Sequence, residues 1–94
     1  MATTKIRSTT EQRRDKVFET YLDVLMEELI QNPSKAKAIS KAWMYGKVGE
    51  LTGYNPSYVG WLVQIKLKAS DSQDRIKLAF SVAGVDIPDP LVEQ

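Results

Sequence analysis

The sequence predicts an all-α fold, a small helical bundle of about four helices. Three observations support this. No segment alternates polar and apolar residues with the period of a strand, and the first third of the chain repeats apolar residues at helical spacing. Turn-forming residues interrupt the chain at four places: Asn32–Ser34, Gly53–Pro56, Ala69–Asp71 and Ala83–Gly84. With 94 residues, the chain is long enough for one modest core and one domain.

The first helix is predicted from a start near Ser8 to about Gln31. Ser8 and Glu11 have the spacing of a capping box, in which each side chain satisfies a backbone amide of the other residue. Residues three and four apart form its apolar face: Phe18, Tyr21, Leu22, Leu25 and Leu29, widened by Val17, Val24, Met26 and Ile30. Because this face is so wide, we expect the rest of the chain or a second copy to cover the helix from two sides.

Two shorter helices are predicted in the middle of the chain. The first has its clear part at Lys41–Leu51, with Ser40 or Ser34 as its cap. The next is predicted at Pro56–Lys68, since Asn55 is a good N-cap and proline suits the first helical turn.

A fourth helix is predicted at about Asp71–Ala83. Ser70 and Gln73 have the spacing of a second capping box, and Gly84 is the expected C-cap. Two prolines follow, so residues 85–94 are predicted to form an extended tail. The chain then divides into a flexible basic arm at 1–9, a helical domain at 10–84 and this tail.

The composition excludes several classes of function. Because the chain has no Cys and no His, it has no thiolate or imidazole for catalysis, no disulfides and no ligands for a structural zinc. The neighbouring carboxylates Glu27/Glu28 and Asp71/Asp74 lie on predicted exposed faces, where nothing shifts a pKa. We therefore expect no enzyme activity, metal or cofactor. The first sixteen residues are polar and no apolar run is long enough to cross a membrane, so a cytoplasmic location is expected.

The net charge of +1 conceals a segregation of charge along the chain. Residues 1–16 carry +3 and residues 34–68 carry +5, whereas residues 17–33 and 69–94 carry −4 and −3. A basic middle segment can bind a polyanion even in a nearly neutral protein.

The segment from Lys41 to Lys68 resembles the helix-turn-helix DNA-binding family, which includes small bacterial regulators. In that family a small residue, a turn glycine four positions later, and branched or leucine residues six and nine positions after the glycine form the structural signature. Gly49, Gly53, Val59 and Leu62 occupy those positions. We also expect Val48 and Leu51 to be buried between the two helices and Tyr54 to cover the corner.

The resemblance implies that Pro56–Lys68 is the recognition helix and that double-stranded DNA is the ligand. Helical spacing places the candidate contacts of this helix on one outward face: Ser57, Gly60, Trp61, Gln64 and Lys68. Gln64 is the candidate for an adenine edge. Further lysines and an arginine are expected to contact phosphates: Lys66, Lys41 and Lys47, with Lys5 and Arg7 on the N-terminal arm.

Gly60 and Trp61 depart from the family pattern, which usually has polar or basic residues there. One interpretation is that Trp61 packs on Ile76 and Phe80 of the fourth helix; the other is that Trp61 and Tyr58 face nucleic acid or a partner protein. Trp43 and Tyr45 are expected in the core. A homodimer through the 10–31 helix is the expected way to gain DNA affinity, and a non-catalytic protein-interaction adaptor is the alternative function.

Overall fold

The computed structural model describes residues 9–32 and 40–84, which form four α-helices and contain no strand. The helices are α1 (Thr9–Gln31), α2 (Lys41–Thr52), α3 (Pro56–Leu67) and α4 (Ser70–Ala83). The all-α prediction is confirmed. The predicted tail and the Ser8 cap lie outside the described residues. So does the predicted arm, except for Thr9, which begins α1.

Local side-chain caps set the starts of α2 and α3. The Ser40 hydroxyl accepts a hydrogen bond from the Trp43 amide at 3.0 Å, so Ser40 rather than Ser34 is the cap of α2. The Asn55 side chain accepts from the Ser57 amide at 2.8 Å, with Pro56 in the first turn of α3. Both starts were predicted correctly because a cap depends on residues adjacent in sequence.

The predicted capping box of α4 is wrong. Ala69 occupies the N-cap and makes no side-chain hydrogen bond. Gln73 instead donates its amide to the Leu67 carbonyl oxygen at 2.6 Å, so it satisfies the last turn of α3 and fixes the corner between α3 and α4. Gly84 does end α4, in a left-handed conformation with φ 71°.

Helix α1 lies at the centre of the bundle and packs against each of the other three helices. Its predicted apolar face is largely buried, and its own chain provides the cover. Leu22 and Met26 are only half-buried, and Ile30 is 62% exposed. The core contains buried residues from all four helices: Val17, Phe18, Tyr21, Val24, Leu25, Leu29, Met44, Val48, Val59, Leu62, Val63, Leu67, Ile76 and Phe80.

Two ion pairs beside Phe18 connect α3 and α4 to α1. Lys66 of α3 lies 3.2 Å from Asp15, and Arg75 of α4 contacts both carboxylate oxygens of Glu19 at 2.6 and 2.8 Å. Both cations also lie over the fully buried Phe18 ring, at 5.7 and 5.8 Å from its centre. The region around Phe18 therefore joins three helices at one place.

Two apolar residues of α2 were predicted to be buried and are not. Leu51 is 61% exposed and Trp43 is 46% exposed. Both line an open groove between α1 and α2, together with Val24 and Glu27. Tyr45 was the other aromatic residue expected in the core. It is half-buried and packs against the outside of the core. Within the ranges 9–32 and 40–84, no helix is both long and apolar enough to span a bilayer.

Candidate functional site

A tight turn, Gly53–Asn55, joins α2 to α3. Gly53 has φ 81°, and its amide donates to the Gly49 carbonyl oxygen at 2.8 Å. This left-handed conformation is costly for residues with a side chain, so the predicted role of Gly53 is confirmed. The turn directs the chain back across the end of α2.

Gly49 is buried where the turn passes closest to α2. A Cβ atom at this position would lie 2.7 Å from the Tyr54 carbonyl oxygen and 3.6 Å from the Pro56 ring. The sequence correctly predicted a small residue at a close contact. The immediate neighbours are the turn and the first residue of α3.

Three of the predicted outward residues of α3 are exposed: Ser57, Trp61 and Lys68. Trp61 is 55% exposed, so it is not packed in the core against α4 as one interpretation had it. Since Lys68 is the C-cap of α3, these three residues follow the open side of the helix from its first turn to its end.

Gly60 and Gln64 do not belong to this open face. Gly60 is buried against Tyr45. A Cβ atom at position 60 would lie only 2.9 Å from two carbons of the tyrosine ring. Gln64 is half-buried and donates its amide to the Tyr45 hydroxyl at 3.0 Å. Helix α2 covers this side of α3 through Tyr45, which the spacing of residues along α3 alone could not show.

Aromatic side chains form a continuous row along α3 and the preceding turn. Tyr54 meets Tyr58 edge to face at 5.6 Å, and Tyr58 stacks on Trp61 at 6.0 Å with 28° between the ring planes. Arg13 of α1 lies beside this row, and its hydrogen bond with Tyr58 raises the pKa of Arg13. We call Tyr54, Tyr58 and Trp61 the aromatic row.

The lysines predicted to contact phosphates differ in their surroundings. Lys66 is paired with Asp15 and its side chain is 26% exposed, so it stabilises the bundle and is poorly placed for a ligand. Lys47 is exposed and lies 3.9 Å from Glu50, and Lys41 is half-buried. The two cations predicted on the arm, at positions 5 and 7, lie outside the described residues.

The chain segment that contains α3 carries basic groups, and one of them, Lys66, is paired with Asp15 of α1. From Leu51 to Ser70 the chain contains no Asp or Glu. Arg13 beside Tyr58 and exposed Lys68 at the end of α3 are the cations that flank the open face. Arg13 was missed as a site residue because its position depends on how α1 packs against α3. The aromatic row was visible in part, since Tyr58 and Trp61 are three residues apart on one helix.

A second exposed surface lies between α1 and α4. Four large apolar side chains line a groove there, together with the smaller Ala79: Leu22, Met26, Leu78 and Val82. Leu78 is 62% exposed and Val82 is 66% exposed, and the Glu19–Arg75 ion pair borders the groove. We call these four residues the α1/α4 groove.

No group of three or more acidic side chains suited to a metal ion occurs among residues 9–32 and 40–84. No protein-family model, curated protein or solved structure matches this chain.

Proposed function

We propose that this chain binds double-stranded DNA as a helix-turn-helix protein, in the role of a small transcriptional regulator or a mobile-element accessory factor. The observation that carries the proposal is the corner between α2 and α3. Its turn glycine has a positive φ, its close contact at Gly49 admits no side chain, and one face of the following helix is open. These are the features that the sequence resemblance requires.

The charge distribution supports DNA as the ligand. The segment 51–70 has no carboxylate to repel phosphates, and Arg13 and Lys68 flank the open face. From Ser57 to Lys68 the helix rises about 16 Å, comparable with the ~12 Å width of the major groove. In this arrangement α3 enters the groove and the two cations contact the backbone on either side.

The structure changes which side chains are available for reading bases. Gln64 donates its amide to Tyr45, so the adenine contact proposed for it would require breaking that hydrogen bond. Ser57 and Trp61 remain on the open face, and an indole can make an apolar contact with a thymine methyl group. Sequence preference is therefore expected to depend on Trp61 more than on Gln64.

The experiment is a titration of random-sequence duplex DNA, followed by fluorescence anisotropy at several salt concentrations. Arg13→Ala combined with Lys68→Ala should flatten the slope of log K against log salt by up to about two for each bound copy of the protein, because each lost phosphate contact contributes about 0.9. Lys77→Ala, which removes an exposed lysine of α4, is the matched control and should leave the slope unchanged. Salt-independent binding, or none, would reject DNA as the ligand.

The proposed DNA-binding form is a homodimer through the α1/α4 groove. A single α3 contacts few base pairs, and two copies related by a two-fold axis would contact two half-sites. Leu78 and Val82 of this groove are exposed, so a two-fold axis through it would bury the apolar side chains of one copy against those of the other. The groove also continues the predicted dimer surface on α1.

Sedimentation of the wild type and of Leu78→Glu tests this dimer. The charged side chain should convert a dimer to monomers and weaken DNA binding, and it should also lower the salt slope, because a monomer contacts the phosphates of one half-site instead of two. Leu51→Glu is the matched control, because Leu51 is equally exposed but lies in the groove between α1 and α2. A wild type that is monomeric at all concentrations would reject the dimer but not DNA binding.

The alternative function is a non-catalytic adaptor that binds another protein through the same corner. One observation favours it: exposed Trp61 with Tyr58 and Arg13 is the combination of residue types that dominates protein–protein hot spots. The salt titration separates the two functions, since an adaptor has no reason to bind random duplexes.

A further inference from the structure

We infer that the aromatic row stacks on an unpaired base, so that the protein prefers DNA containing unpaired nucleotides to a fully paired duplex. This inference rests on the proposed DNA-binding function and specifies the form of DNA that the open face of α3 recognises.

The first step concerns what α3 offers to base edges. The helix contains no Arg, its glutamine side chain donates to Tyr45, and Gly60 is buried. The open face is left with the hydroxyl of Ser57, the indole of Trp61 and, at the C-cap of the helix, the ammonium group of Lys68. Bidentate recognition of guanine or adenine in the major groove uses Arg, Lys, Asn or Gln, and Lys68 is the one such side chain on this face, so the face is poorly equipped to read a paired duplex.

The second step concerns the rings. Tyr58 and Trp61 are stacked with 28° between their planes, and Tyr54 supports Tyr58 from its edge. Trp61 remains 55% exposed although Tyr58 stacks against it. A base can therefore continue the stack on the indole, which is the way sequence-tolerant proteins hold single strands. A base inside a duplex is already stacked on both sides and cannot do so.

The third step concerns charge. Arg13 lies at the Tyr58 end of the stack and Lys68 lies two helical turns beyond Trp61 on the same face. From Tyr58 to Lys68 the chain carries no carboxylate. A nucleotide stacked on Trp61 thus has a cation on each side for its flanking phosphates, whereas an apolar peptide would gain nothing from them.

The test compares three DNA probes of equal length: an intact duplex, the same duplex with a three-nucleotide bulge, and that bulge with abasic nucleotides. The abasic probe keeps the bend and the phosphates but removes the bases. Wild-type protein should bind the bulged duplex about 5- to 150-fold more tightly than the intact duplex, the range for stacking one base on an aromatic side chain. The abasic bulge should bind like the intact duplex.

Trp61→Ala should abolish the preference for the bulge, so that the variant binds the bulged, abasic and intact probes with equal affinity. Trp43→Ala is the matched control, because Trp43 is also exposed but lies on α2, and it should keep the preference. Since Trp61 is exposed, the variant should fold, and circular dichroism checks this.

Each other outcome has a defined meaning. Duplex binding without a preference for the bulge, or a preference that survives Trp61→Ala, overturns this inference and leaves the proposed function intact. A preference that persists with the abasic probe attributes it to DNA bending and also overturns the inference. Binding to no probe rejects DNA altogether, and a protein partner becomes the occupant of the aromatic row.

Discussion

Replacing Gly49 by alanine should destabilise the domain, whereas the same change at Gly46 should stabilise it. Both glycines are in α2, so both variants gain helix propensity of about 0.8–1.0 kcal/mol. The new methyl group at position 46 meets nothing within 4 Å, but at position 49 it lies 2.7 Å from the Tyr54 carbonyl oxygen. An ordinary contact begins at 3.4 Å, so the backbone of the turn must move by 0.7 Å.

Because the propensity gain is common to both variants, their difference isolates the cost of displacing the turn. Overpacking of this kind costs about 1–3 kcal/mol. In a domain of this size that corresponds to at least about 4 °C between the two melting temperatures, measured by circular dichroism at 222 nm. Gly49→Ala melting at the same temperature as Gly46→Ala would refute the close contact at the corner and, with it, the geometry on which the proposed function depends.

Three further predictions concern the bundle itself. Phe18→Ala should lower the free energy of unfolding, measured with urea, by about 3–5 kcal/mol, because it leaves a cavity at a fully buried site beneath two cations. A loss below about 1 kcal/mol would contradict the central role of this ring. Tyr45→Phe should lower the free energy of unfolding by about 0.5–1.5 kcal/mol, since it removes the hydroxyl that accepts a hydrogen bond from Gln64. In a Gln64→Leu background, where that donor is absent, Tyr45→Phe should cost much less. Arg75 holds the pKa of Glu19 below its ordinary value of 4.5, so Glu19→Gln should lower stability at neutral pH by less than about 1 kcal/mol. The difference in stability between the wild type and Glu19→Gln should have its full value above pH 4.5 and disappear as the pH falls through the lowered pKa of Glu19. A difference that does not depend on pH would mean that packing, and not the ion pair, causes it.

The helices could be predicted from the sequence because their boundaries are set locally. Ser40, Asn55 and Gly53 each act on a backbone group within four residues, so the caps could be identified without knowledge of the tertiary structure. The start of α4 could not be predicted in this way. Gln73 has the spacing for a cap, but it bonds to the preceding helix, whose carbonyl lies within reach only once the corner has formed.

The candidate site was predicted less well, because its composition depends on contacts between helices. Gly60 and Gln64 have the spacing of an outward face, yet Tyr45 of α2 covers the first and bonds to the second. Conversely, Arg13 is remote from α3 in sequence and reaches it through the packing of α1. Helical periodicity specifies which residues share a face, but it does not specify which neighbouring helix covers that face.

The exposure of both tryptophans determines what intrinsic fluorescence can report. Trp43 and Trp61 are 46% and 55% exposed, so the indoles are already in contact with water in the folded protein. Unfolding should therefore shift tryptophan emission only slightly, while the loss of helix remains fully visible by circular dichroism. The same arrangement makes emission sensitive to anything that settles on the surface. In a Trp43→Phe background, the fluorescence of Trp61 alone becomes a direct optical probe of whether the aromatic row is occupied.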